Sequence, residues 1–130
     1  MVTIEKIEHV NALDKALRTL KFEVDDEDAF IFAGSPYIAR VQHQLHMALL
    51  RKNNPDLSSE GLQELHIADC NFRDQKHLFV KVRAYLEKAR KWNSLSLEVK
   101  KEYILSVVAP YFIDDSFLME LIEETNTFHS

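Results

Sequence analysis

Apolar residues recur along this chain in steps of three and four, and very little interrupts them. Only two glycines, Gly34 and Gly61, and three prolines, Pro36, Pro55 and Pro110, occur in 130 residues. A β-rich fold needs many tight turns and the residues that make them, so scarce breakers between long periodic segments favour helices. From residue 3 to residue 24 the stripe is Ile4, Ile7, Val10, Leu13, Leu17, Leu20 and Val24, one face of a helix of about six turns with Thr3 as its N-cap.

The acidic run from Glu23 to Asp28 breaks that pattern. It reads as an exposed, cap-rich turn, with a docking strip for a basic partner as the sharper alternative. Asp25 or Asp26 caps a short helix over 29–33, for which a short strand is the competing reading. Ser35-Pro36 is a preorganised helix start, serine at the cap and proline in the first turn, and Asn53-Asn54-Pro55 is the matching stop.

A helix then opens at Leu57-Ser58-Ser59-Glu60 and carries Leu62, Leu65, Ala68 and Phe72 on one side. Asn71 with Asp74 resembles a capping box, which places a break there, although one continuous helix over 58–93 also fits. Leu78, Val82, Tyr85, Leu86, Ala89 and Trp92 form the next stripe. Ser96 caps a helix through Val99, Tyr103, Val107 and Val108 that ends at Pro110. Asp114 or Asp115 caps the last helix, and residues 125–130 are expected to fray. The expected fold is all-α: one domain over 1–130, a compact bundle of five to six helices with short connections.

The composition, 46% apolar and 28% charged, is that of an ordinary globular protein. Cys70 is the single cysteine, so no internal disulfide forms, and no Cys/His zinc spacing is present. The N-terminal residues are charged early, and no stretch approaches the roughly 18 apolar residues of a membrane span. A cytoplasmic protein without membrane contact is expected.

Two surfaces depart from a plain bundle. On the 36–53 helix, Tyr37, Ile38, Val41, Leu45, Ala48 and Leu49 form the expected core face, while Ala39, His46, Met47 and Leu50 cover the opposite side. A helix apolar around most of its circumference is central in a fold or contributes to an interface. His43, His46, Met47 and Leu50 are therefore the candidate interface, for a protein partner or a second copy of the chain.

Charge supplies the other surface. Residues 73–101 hold nine basic and three acidic side chains, whereas residues 102–130 hold six acidic and none basic. Arg83, Lys88, Arg90 and Lys91 make a candidate basic strip for an acidic partner or nucleic acid, against a solvated face neutralised within the fold. The overall charge of −5 disfavours nucleic acid.

Chemistry is harder to find. His43 and His46, three apart, are adjacent on a helix and can ligate one ion if other helices bring ligands. Candidates are His66 with Asp69, Asp74 with His77, and Glu120 with Glu123 or Glu124. The Glu-x-x-His of bundle di-metal proteins is lacking, so Gln42, His43 and Gln44 read first as polar groups satisfied by hydrogen bonds at a seam. Cys70 near His66 or His77 reads first as a small buried residue and only second as a nucleophile. Glycine-rich phosphate loops and nucleophile elbows are lacking. The expected function is a cytoplasmic protein-interaction or regulatory module without cofactor, more a binder than an enzyme, with nucleic-acid binding and a metal-dependent activity at His43 and His46 as alternatives.

Overall fold

The computed structural model describes residues 3–24 and 27–130, the side chains of Glu27 and Asp28 excepted. Among the described residues there are seven α-helices and no strand: α1 (Ile7–Phe22), α2 (Glu27–Ala33), α3 (Pro36–Asn53), α4 (Ser59–Asp69), α5 (Phe79–Glu87), α6 (Leu97–Val108) and α7 (Asp115–Phe128). The architecture is the expected compact all-α fold with slightly more helices. None of these helices is long and apolar enough to cross a membrane.

Local chemistry sets most boundaries. The hydroxyls of Ser35, Ser58 and Ser96 accept from the backbone N–H groups of Ile38, Gly61 and Val99, and the Asp114 carboxylate accepts from Phe117. Each satisfies a donor that the first helical turn leaves free. The Arg73 guanidinium also holds Asp114, at 2.5 and 3.0 Å, and with the Phe117 N–H pulls its carboxyl down to about 2. Asn71 starts a break as expected: its side chain accepts from Arg73 N–H, and two single-turn 3₁₀ helices, Phe72–Asp74 and Lys76–Leu78, separate α4 from α5.

Three expectations are corrected and a fourth is untested. α1 begins at Ile7 with Lys6 rather than Thr3 at the cap position, and Lys6 gives no side-chain cap. The caps expected at Asp25 and Asp26 lie outside the described residues. α5 ends at Glu87, because Lys91 adopts a left-handed backbone (φ 55°) that turns Trp92 inward, where its Nε1–H donates to Asn126. At the C-terminus α7 continues to Phe128, past the expected fraying point. Thr125 is buried there, and Asn126 accepts from both Trp92 and Lys100.

The apolar core belongs to the second half of the chain. Phe72, Val82, Leu86, Trp92, Ile104, Val107, Leu121 and Ile122 are buried together there. Each such side chain contributes about 1.5–3 kcal/mol by leaving water. α1, α3 and α4 pack differently: their mutual contacts bury only a few apolar groups, Val10, Leu45 and Leu62, beside Asp14, Lys21, Gln42 and His66.

Helix α3 is central, in contact with α1, α2, α4 and α6, but only one side of it is buried. Gln42 and Leu45 are fully covered and Ile38 and Leu49 partly so. Tyr37, Val41 and Ala48, placed by the sequence on the core face, are exposed. The stripe is broad enough to be buried in either of two rotations, and contact with α1 and α4 selects the one that covers Gln42.

Candidate metal centre

Helix α4 presents Leu62 and, one turn later, His66 to the interior; Ala68, expected on that side, is exposed. His66 therefore occupies a place where a leucine would ordinarily pack. Its ring meets His46 and His43 of α3 edge-on, with centroids 4.9 and 5.5 Å away. Cys70, the C-cap of α4, completes the group: its backbone N–H donates to His66 O and its carbonyl accepts from Phe112 N–H. Bonded on both sides, the cysteine backbone is fixed and its Sγ lies 3.0 Å from His46 Nε2.

One donor atom each from His46, His66 and Cys70 lies within 4.8 Å of the other two. Zinc-type bonds of about 2.0–2.1 Å to nitrogen and 2.3 Å to sulfur place neighbouring donors roughly 3.3–3.6 Å apart. Small side-chain rotations would close the wider separations and open the His46–Cys70 one. The electrostatics suit neutral imidazole ligands and oppose a Cys70 thiolate, whose proton an arriving ion must displace. Burial lowers the pKa of His46, and burial followed by repulsion from His46 and His43 lowers that of His66 to about 4. Burial, reinforced by Asp69, raises that of the Cys70 thiol. An ion bound through His46 Nε2 requires the imidazole hydrogen on Nδ1.

One further observation sets the cluster apart from a satisfied polar seam. His66 Nδ1 is buried with no hydrogen-bond partner, and so are Gln42 Nε2 and Asp14 Oδ1. Such atoms are uncommon in folded proteins and cost about 1–3 kcal/mol each. The hydrogen-bonded seam expected from Gln42, His43 and Gln44 is corrected accordingly. Gln42 Oε1 accepts from Lys21, which leaves its amide nitrogen unmatched, and His43 and Gln44 are exposed.

The remaining sequence candidates are dispersed. Met47 and Leu50 are half-buried, and His77 is exposed. His43 reaches the cluster through His66 and also lines a cleft of about 560 Å³ between α3 and α6, together with Arg40, Glu102, Leu105 and Tyr111. In the basic strip, Arg83 is paired with Glu124 at 3.1 Å and lies over the Phe79 ring, while Lys88, Arg90 and Lys91 are exposed beyond the end of α5. Sequence reasoning offered His66 as a further ligand beside His43 and His46 but did not join Cys70 to them. It missed Asp14 and Lys21, whose signal is their position: Val10, Asp14, Leu17 and Lys21 lie along one side of α1.

No protein-family model, curated protein or solved structure matches this chain.

Proposed function

We propose that this chain binds a transition-metal ion of the class that accepts nitrogen and sulfur together, Zn²⁺ foremost, through His46, His66 and Cys70. The convergence of three donor atoms within 4.8 Å, from two helices, carries the reading. Imidazole and thiolate together suit zinc, whereas carboxylate and carbonyl oxygens suit calcium or magnesium. Three protein ligands leave one position of a tetrahedral ion for water or another ligand. A cytoplasmic setting, which keeps Cys70 reduced, suits this chemistry.

Cobalt(II) titration of protein purified without an affinity tag tests the reading. One equivalent should bring up thiolate-to-cobalt charge-transfer absorption and the visible bands of a low-coordinate ion. Cys70→Ser should remove the charge transfer. Zinc at about 100 times its Kd should stabilise the fold by about 2.7 kcal/mol. A featureless cobalt spectrum, with no thermal shift from either ion, would refute it.

A second reading, self-association as a protein-interaction module, is supported by a separate observation. Ile31 and Tyr37 are 73% and 72% exposed, and Phe32 and Val41 are 40% and 38% exposed, on the consecutive helices α2 and α3. Tyr37 and Val41, four apart, share one side of α3, and exposed apolar patches mark interaction sites. This side of α3 carries Tyr37 and Val41, not the Met47 and Leu50 named from sequence. Sedimentation velocity decides between monomer and dimer.

A further inference from the structure

The metal reading, on which this inference rests, leaves the fourth corner of a tetrahedral ion to be filled. Polar side chains of the same helices are the candidates: Asp14 of α1, Gln42 and His43 of α3, and Asp69 of α4. The two carboxylates and His43 lie outside the 4.8 Å group, so a side-chain rotation must bring a fourth donor in.

Two of the four are fixed elsewhere. Asp14 is 2% exposed and its Oδ2 is held by Arg18 at 2.9 Å, so it cannot turn without breaking that pair. Gln42 is fully buried, its Oε1 accepts from Lys21, and its unpartnered Nε2 is a donor with no lone pair for an ion. Asp69 is exposed and free to turn, yet it has no hydrogen bond or ion pair with the three ligands among the described residues.

His43 differs. It is exposed, and its ring has no described hydrogen bond or ion pair to break on turning. It lies three residues before His46, hence beside it on the helix surface. Its ring also meets His66 at the spacing an ion would set. With bonds of about 2.0–2.1 Å and about 1.15 Å from ring nitrogen to ring centre, two imidazoles on a tetrahedral ion stand about 5.2 Å apart, centre to centre. The observed values are 5.5 Å for His43–His66 and 4.9 Å for His46–His66. His66, which both rings meet, is 3% exposed and keeps an Nδ1 with no partner, a nitrogen that an ion would satisfy. Ordinary edge-on ring packing accounts for the spacing but not for that nitrogen.

We infer that His43 is the fourth ligand, closing the ion within a Cys-His₃ set: His43 and His46 from α3, His66 and Cys70 from α4. Four protein ligands make a closed site of the structural kind, which ties elements together rather than activating water. The ion clamps two helices whose only fully buried apolar side chains are Leu45 and Leu62.

The probe is Co²⁺ on the full chain, with azide as the competing ligand. A closed site should give a tetrahedral cobalt spectrum that azide leaves unchanged. His43→Ala opens a corner: azide should then shift the visible bands, and cobalt affinity should fall at least about tenfold, as much as loss of an outer partner costs. His43→Phe, which keeps a ring against His66 without a donor, should lose affinity equally. Both substitutions are at an exposed position, and the azide response of wild type needs no variant at all. Wild-type bands that move with azide, or cobalt binding within about threefold of wild type in either variant, overturn this inference and leave the three-ligand centre standing. Absence of cobalt binding in wild type overturns the metal reading itself.

Discussion

Lys21 carries an ammonium group into the interior, where it donates to Gln42 Oε1 at 2.5 Å, Ser106 O at 2.8 Å and Ala109 O at 3.0 Å. Two of these acceptors are carbonyls at the C-terminal end of α6, where a cation offsets the negative end of the helix dipole. All three acceptors are uncharged, and burial draws the Lys21 pKa from 10.5 down to about 7. The folded chain therefore releases this proton near pH 7, while the unfolded chain holds it until about 10.5. Between those values the unfolded state binds more protons, so unfolding free energy should climb with pH. The gain expected from pH 7 to pH 9 is ~2 kcal/mol. Above that window the raised pKa values of Cys70 and Tyr103 act in the opposite sense. Urea unfolding at several pH values measures the slope, and Lys21→Met should lose it. Parallel profiles for the two proteins would sink the idea.

At the scale of elements, capping was the most legible signal. Ser35 with Pro36 fixes the start of α3, and Ser58, Ser96 and Asp114 start α4, α6 and α7, because a cap is a contact between residues three apart. The ends of α1 and α5 were less legible. α5 stops where Trp92 needs its partner Asn126, a residue on another helix. The corner between α2 and α3 depends on Gly34 for a packing reason. A Cβ built there would meet Tyr103 Cε2 of α6 at 2.5 Å, well inside van der Waals contact. Gly34→Ala should therefore destabilise the protein by about 1–3 kcal/mol in denaturant titrations, the usual cost of overpacking. Tyr103→Leu in the same background should recover part of the loss. A neutral or stabilising Gly34→Ala would show that the corner has room.

Across the whole molecule, apolar packing and buried polar chemistry are separated. The second half holds the continuous hydrophobic core. Among the described residues, every buried side-chain atom without a partner, on Asp14, Gln42 and His66, belongs to α1, α3 or α4. Stability is strained where a protein keeps function, so this distribution points to the first half as the working part. The exposed apolar surface is there too, and it tests self-association. A concentration-dependent dimer in sedimentation velocity should become monomeric in Tyr37→Glu with its unfolding midpoint unchanged. A wild-type monomer at all concentrations would exclude that surface as a self-contact. The charge asymmetry has a plainer outcome: Arg73 pairs with Asp114 and Arg83 with Glu124, so part of the basic segment is neutralised by the acidic C-terminal one.

The sequence by itself determined that the chain is helical and where most helices begin, because periodicity and caps act over a single turn. It also named His46, His66 and Cys70 among the residues that could carry chemistry. The tertiary structure alone decided that His46 meets Cys70, 24 residues away, that His66 points inward, and that α3 covers Gln42 rather than Val41. The reason is rotational. Local spacing sets the order of side chains around a helix axis, but how far each helix turns about that axis is set by its neighbours. Two polar residues a few tens of degrees from the apolar stripe, Asp14 and Lys21, are enough to show that the turn is not legible from the stripe alone.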